Sequence, residues 1–333
     1  MKIAVVILNW NGEKLLEKFL PSVVNFSNLE NTTIYVADNA STDNSVIYIK
    51  KHFPSVKIIQ NSSNGGYAKG YNEALKYIDA DIFALVNSDI EVTENWLEPI
   101  ISTFNKEPNT AIIQPKILDF KNKTKFEYAG AAGGFIDQFG YPFCRGRIFS
   151  ELEYDENQFN DEIEIFWASG ACFFIRAEVF NKLKGFDEDY FAHQEEIDLC
   201  WRARNLGEKI KYIGTSTVYH VGGATLKEES PRKTFLNFRN SLFSLVKNVP
   251  RVQLIFIILT RLLLDGVAGM KFLFEMRPIH IIAILKAHLS FYYYLPKMLK
   301  KRKISNQTIN YFKTRSIVWD YFILKKKTFD ELL

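Results

Sequence analysis

The segment Asp81–Trp96, DIFALVNSDIEVTENW, decides the fold. Its apolar core, Ile82–Val86, is an unbroken run of five, the signature of a strand buried on both faces. The run stops on Asn87, Ser88 and Asp89. These residue types form turns and cap helices, so a simple turn is one reading; a ligand at the strand end is the other. Similar runs occur at Ile3–Leu8, Thr33–Ala37, Lys57–Gln60 and Ala111–Pro115. Helical patterns lie between them, at Glu13–Val24, Ser45–His52, Tyr71–Ile78 and Glu94–Phe104. Strands alternating with helices predict an α/β fold, a mostly parallel Rossmann-like sheet flanked by helices. Such sheets bind ligands beyond the carboxyl ends of their strands.

Polar groups cluster at those ends. NWNG (9–12) follows the first strand, DNASTDNS (38–45) the second and NSSNGGYAKGYN (61–72) the third. Each alone reads as a turn, but four in succession on one sheet edge describe a polar binding edge. Neither G-x-G-x-x-G nor G-x-x-x-x-G-K-[ST] occurs at the first turn, which removes the main support for dinucleotide and P-loop readings. Amides and carboxylates suit a base and ribose, and a carboxylate suits a hard metal carrying phosphates.

Charge divides the chain. From residue 233 onward there are 18 Lys and Arg against 5 Asp and Glu, whereas the residues before it hold 24 against 33. An acidic body with a basic tail predicts that the tail meets an anionic partner. Cys144, Cys172 and Cys200 lack metal-ligand spacing and read as reduced core thiols of a cytoplasmic protein. The opening apolar run is too short for a signal peptide. No nucleic-acid partner is expected.

VVILNWNG, VADNASTDNS, NGGYAKGYNEAL and LVNSDIEV together resemble family 2 glycosyltransferases of the GT-A fold, especially the rhamnosyltransferase-like branch. The resemblance continues through WASGACFFIRAEVFNKLKGFDEDYFAHQEEIDLCWRARNLG and VYHVGG, and covers roughly residues 1–245. It implies that Asn87-Ser88-Asp89 stands where the family has its D-x-D metal motif, with Asn in the first place. It further implies Mg²⁺ or Mn²⁺ held by Asp89 and His220, neutralising the leaving diphosphate of a nucleotide-sugar. His220 read alone is equally a histidine ending a strand. Asn9, Asn11, Asp38, Asn64, Lys69, Asn87 and Ser88 are the implied nucleotide-sugar contacts, and Trp167, Gly170 and Ala171 the implied acceptor side. Trp10 reads either as core or as site rim. Gly222-Gly223 would let backbone approach phosphates, or form a simple loop.

HQEEIDLCWRAR (193–204) supplies the acids. Helical spacing stacks Glu195, Asp198 and Arg202 on one face and turns Glu196 about 100° from Glu195. The family's E-D-x-D pattern implies Glu196 as general base, while the helical spacing has Glu195 and Asp198 orient Arg202. Adjacent carboxylates raise one pKa, which suits a base working near neutral pH. A solvated charge run is the alternative.

The last hundred residues differ. Val252–Phe274 and Pro278–Leu295 are apolar and helix-compatible, with Arg261, Asp265 and Lys271 inside the first. Charges there cost about 2.5–3.5 kcal/mol each near a bilayer centre, which favours interfacial helices over a span. The basic run 297–303, KMLKKRK, would meet anionic lipid headgroups, or be a solvated helix end. The expected organisation is a GT-A domain over 1–245 and a helical membrane-associating region over 246–333, on the cytoplasmic face of the membrane. The expected activity is inverting, metal-dependent transfer from a nucleotide-sugar, with dTDP-rhamnose the first guess, to a lipid-linked saccharide. A sugar-1-phosphate nucleotidyltransferase and a non-catalytic membrane-bound relative are the alternatives.

Overall fold

The computed structural model describes residues 1–222, 230–302 and 311–333; Gly223 and Lys303 lie outside them. Strands β1 (Ile3–Asn9), β2 (Thr32–Asp38), β3 (Lys57–Gln60) and β4 (Ile82–Asn87) form a parallel block in the order β3-β2-β1-β4. The sheet continues through β5 (Ile90–Val92), β6 (Thr110–Asp119), β11 (Glu162–Glu164), β12 (Cys172–Arg176) and β13 (Lys209–His220). In this half β12 runs antiparallel to both β4 and β6, β6 and β13 are parallel, and β5 and β11 run antiparallel to β13. A second, four-stranded sheet joins β7 (Gly134–Ile136), β8 (Pro142–Cys144), β9 (Arg147–Ile148) and β10 (Glu151–Leu152).

Helices cover the two faces, as the alternation of strands and helices requires. α1 (Glu13–Phe26) packs Leu16, Phe19, Leu20 and Val23 inward. α2 (Ser45–His52) matches its predicted bounds. α3 runs Gly66–Leu75, five residues earlier than the pattern suggested, because the Asn64 side chain accepts the Gly66 N–H and opens it there. α4 begins at Glu98, later than predicted, because Asn95 at φ 59° breaks the chain and Pro99 starts the helix afresh. α5 (Ala177–Lys182) and α6 (Glu195–Asn205) follow β12.

The tail is joined closely to the body. α7 spans Pro231–Asn248, so the turn at Val249 and Pro250, rather than residue 245, ends it. Its Leu242, Phe243, Leu245 and Val246 share one core with the sheet. α8 (Arg251–Phe274) and α9 (Pro278–Lys301) form a hairpin, and α10 (Ile317–Phe322) returns to the body. There Tyr311 packs on Trp201, and the Ile317 N–H reaches the Asp137 carboxylate. All three cysteines are free and buried.

Candidate active site

Strand register assembles the polar edge. Asn9 stands opposite Asp38, Asp38 opposite Gln60, and Leu8 opposite Asn87, so the carboxyl ends of four parallel strands finish in one row. The buried Asn9 amide donates to Asp38 Oδ1 and Ser41 Oγ, each at 3.2 Å, while the Asp38 Oδ2 accepts the Ser41 N–H. Both Asp38 oxygens are thereby occupied in pinning its own loop. The Asn11 side-chain oxygen accepts the Thr42 N–H and the Asn11 backbone N–H donates to Ser41 Oγ, at a left-handed φ of 49°. Asn39, Asn61 and Asn64 form an amide chain beneath the exposed Lys69, whose stem lies across Gly65. Trp10 is half exposed at the rim, which excludes the core reading.

Asp89 and His220 are brought together by β5, whose Ile90 pairs with His220. The imidazole Nε2 lies 3.2 Å from Asp89 Oδ1, and Nδ1 lies 3.2 Å from Glu127 Oε1. All three side chains are buried. Burial opposes a charged ring here, but Glu127 and Asp89 outweigh it and push His220 up to about 10. Glu127 escaped the sequence reading because it sits in an irregular stretch without periodicity. Only the return of the chain past β6, fixed by the Glu127 N–H to the Ile117 carbonyl, carries it to His220.

These residues fit a divalent ion. Two donors each about 2.1 Å from a metal and at right angles stand about 3 Å apart, close to the 3.2 Å observed between Asp89 and His220. A carboxylate beside the far imidazole nitrogen is the usual device for orienting a histidine ligand. Among the described residues, no group of three or more His, Cys, Asp or Glu forms a complete protein cage. A site with two protein ligands leaves positions for water and diphosphate oxygens, as Mg²⁺ and its analogues prefer.

The acids of α6 divide sharply. Asp198 is fully buried, with Arg202 Nε at 2.7 Å, Lys247 Nζ at 2.8 Å, Asn248 Nδ2 at 2.9 Å and the Tyr190 hydroxyl at 3.3 Å. Burial alone would raise its pKa, but Lys247 and Arg202 hold it well below the carboxylate range. Grouped with the catalytic acids on sequence, Asp198 instead ties α6 to α7. It alone makes the predicted contact with Arg202, and no hydrogen bond joins Glu195 to Arg202 among the described residues.

Glu195 and Glu196 lack such compensation. One carboxylate oxygen of each is buried without a hydrogen-bond partner among the described residues. Burial, and then the neighbouring Glu196 charge, raises Glu195 well above the usual range; burial pushes Glu196 up to about 7. The approach to them is strained, with Phe191, His193 and Gln194 all at φ between 65° and 72°. Such conformations cost of order 1–3 kcal/mol each and persist where surroundings enforce them. Asn240 Nδ2 supplies that enforcement, within 3.0 Å of the carbonyls of Tyr190, Ala192 and His193.

Gly170 connects the two halves of the site. A Cβ there would stand 3.7 Å from the Glu196 carboxyl carbon and 3.2 Å from the Tyr67 hydroxyl. The next residue, Ala171, accepts the Asn87 N–H, so the glutamate and the Asn87-Ser88-Asp89 turn border one cleft wall. Ser88 Oγ in turn lies near Gly12 and Asn9. Of the predicted acceptor side, only Gly170 is partly exposed. Ala171 is buried, and the Trp167 ring lies against Gly134 with its N–H on the Phe135 carbonyl. Its apolar area is taken by the core, so Trp167 is no sugar platform.

The chain is similar to known glycosyltransferases in sequence and fold. Residues 4–184 match Glycosyl transferase family 2. A relative of known activity is the N-acetylglucosaminyl-diphospho-decaprenol L-rhamnosyltransferase of Mycobacterium tuberculosis, 24% identical over 66% of this chain and 75% of its own. A low-salt glycan biosynthesis hexosyltransferase of Haloferax volcanii is 23% identical over 82% of this chain and 85% of its own. A mannosyltransferase of Pyrobaculum calidifontis, solved with GDP-mannose and Mn²⁺, superposes with a TM-score of 0.55 at 12% identity, covering 88% of this chain and 87% of that one. The chain therefore belongs to glycosyltransferase family 2, an enzyme of the GT-A fold with rhamnosyltransferase-like relatives.

Proposed function

We propose that this glycosyltransferase inverts the anomeric centre of a nucleotide-sugar while passing the sugar to a lipid-linked saccharide at the membrane. The observation that carries the reading is the Glu195–Glu196 pair beside Gly170, with one carboxylate oxygen of each buried and without a hydrogen-bond partner among the described residues. Asp89 and His220 would hold Mg²⁺ or Mn²⁺, which neutralises charge on the departing diphosphate. Glu127 fixes the His220 ring so that Nε2 faces Asp89. Asn9, Asn11 and Asp38 shape the base and ribose end, with Asn64, Lys69, Asn87 and Ser88 nearer the phosphates. Glu196, raised to about 7, accepts the proton of the acceptor hydroxyl as its oxygen bonds to the anomeric carbon and the sugar–phosphate bond breaks. Burial keeps that carboxylate basic, and its charge in turn raises Glu195.

The donor proposed first is dTDP-rhamnose, and the lipid-linked acceptor follows the mycobacterial relative's named substrate. The tail would hold the enzyme at the cytoplasmic face. Release of nucleoside diphosphate is to be measured from a panel of nucleotide-sugars, with a diphosphopolyprenol-linked saccharide, with and without Mn²⁺. Acceptor-dependent release that EDTA abolishes and Mn²⁺ restores is expected. Pyrophosphate in place of nucleoside diphosphate, or release indifferent to EDTA, contradicts the reading.

A further inference from the structure

The two faces of the α8–α9 hairpin have opposite chemistry. Along α8, Ile257, Arg261, Asp265 and Gly269 recur every fourth residue and are buried. Arg261 Nε lies 2.8 Å from Asp265 Oδ1, and Asp265 also meets His288 of α9 at 3.0 Å and the Tyr141 hydroxyl at 3.2 Å. A second Arg261 nitrogen donates to the Phe139 carbonyl. Two of the three charges that count against a membrane helix, Arg261 and Asp265, are thus locked between α8, α9 and the loop joining β7 to β8.

The outward stripe is apolar. Val252, Ile255, Leu259, Leu263 and Val267 of α8 are all more than half exposed, and Leu289 of α9 is 71% exposed. Helix α10 adds exposed Trp319, the residues after it add exposed Ile323 and Leu324, and Lys271 of α8 lies over the Phe322 ring. The face runs the length of α8, about 36 Å at 1.5 Å per residue, and a contiguous exposed apolar patch marks an interaction surface. Cations surround it. Arg251, Lys271, Lys286 and Lys300 are exposed, whereas the only acids in residues 251–302 are buried Asp265 and Glu275 in the turn. Part of the predicted lipid-binding cluster is spent internally. Lys297 and Lys301 pair with Asp187 and Asp189, and Arg302 donates to the carbonyls of Val246 and Val249.

We infer that α8 and α9 lie flat on an anionic bilayer, with the Leu263–Leu289 face immersed, and do not cross it. α8 has the length and hydropathy to cross. Crossing would surround it with lipid and tear Arg261 and Asp265 from Tyr141, Phe139 and His288. Lying flat retains those bonds, buries the apolar stripe and sets the cations among headgroups. The same α9 grips the loop preceding Glu195 through Lys297 and Lys301, which fixes the catalytic acids relative to the bilayer plane. This deepens the proposed membrane placement and rests on it, but its test needs neither donor nor acceptor, so a failure of either stands apart from the other.

The full chain is to be co-sedimented with vesicles of phosphatidylcholine containing phosphatidylglycerol, and with phosphatidylcholine alone. Binding is expected to the anionic vesicles and to weaken with salt. Leu263→Glu with Leu289→Glu, both at exposed positions, should weaken it roughly tenfold or more with an unchanged thermal midpoint. Cysteines placed by Arg251→Cys and Glu275→Cys, exposed polar positions at opposite ends of α8, should react alike with an impermeant maleimide from one side of sealed vesicles. Protection of one end means a span and overturns the inference. Equal binding by the double glutamate variant overturns it too. So does a lipid-free dimer that the double variant dissolves while vesicle binding persists, since a second copy would then be the partner of this face.

Discussion

Two places on α6, less than one turn apart, treat a buried carboxylate in opposite ways. Asp198 is given Arg202, Lys247, Asn248 and Tyr190, and its pKa falls; Glu195 and Glu196 are given no cation among the described residues, and theirs rise. Burial acts on all three in the same direction, so the difference lies in the partners. A matched buried charge holds a fold together. An unmatched one costs stability and is retained where a proton must be accepted. The Asp89–His220–Glu127 cluster is a third case, in which the charges match one another.

The largest effect is expected at the metal edge. Asp89→Ala should abolish transfer while circular dichroism stays native, because Asp89 closes a strand end; full activity in this variant ends the metal mechanism. Next is Asp198→Ala, which leaves Lys247 and Arg202 buried with too little countercharge. It should lower the unfolding free energy by roughly 3–5 kcal/mol in urea melts. Because the folded-state pKa of Asp198 is lowered, this contribution is present above about pH 4 and fades as pH falls below that value. A near-wild-type melt for Asp198→Ala would erase the contrast between the two positions.

How much of this the sequence disclosed follows from where the information lies. The parallel block was legible because β1 and β4 are unbroken apolar runs between helical periods, and periodicity is a local property. The sheet β7–β10 was not, since strands of two or three residues carry no period. Asp89, His220 and the glutamate pair were found through motifs. Glu127 was not, because its role arises only from β6 pairing beside β13 and the chain doubling back. Asp198 was misgrouped and Trp167 misplaced for one reason: burial by α7 and by the second sheet is a tertiary fact that spacing on one helix or strand does not record.

Two smaller effects sharpen the comparison. Glu127→Gln keeps the shape beside His220 but removes the charge. It should weaken Mn²⁺ binding in the presence of nucleoside diphosphate roughly 10- to 100-fold by titration calorimetry. Unchanged affinity would make Glu127 a packing residue. Smaller still, Glu196→Gln should raise the thermal midpoint at pH 8. In the wild type a carboxyl with a folded pKa of about 7 must ionise there against burial, while the unfolded chain ionises near its ordinary value. The gain should vanish below pH 4, where Glu196 is protonated in both states. A loss of stability at pH 8 would mean Glu196 is held by unseen partners, like Asp198.

The most direct test of the account is single-turnover transfer, with saturating donor, acceptor and Mn²⁺, by wild type, Glu196→Gln and Glu195→Gln across pH 5–9. If Glu196 is the base, the wild-type rate rises with pH through about 7, as its carboxyl loses its proton. Glu196→Gln should then be slower by about 10²- to 10⁴-fold, with unchanged donor affinity and a flattened profile, and Glu195→Gln much less impaired. A dead Glu195→Gln beside an active Glu196→Gln would exchange the two roles. Near-wild-type rates in both variants would contradict base catalysis by this pair altogether.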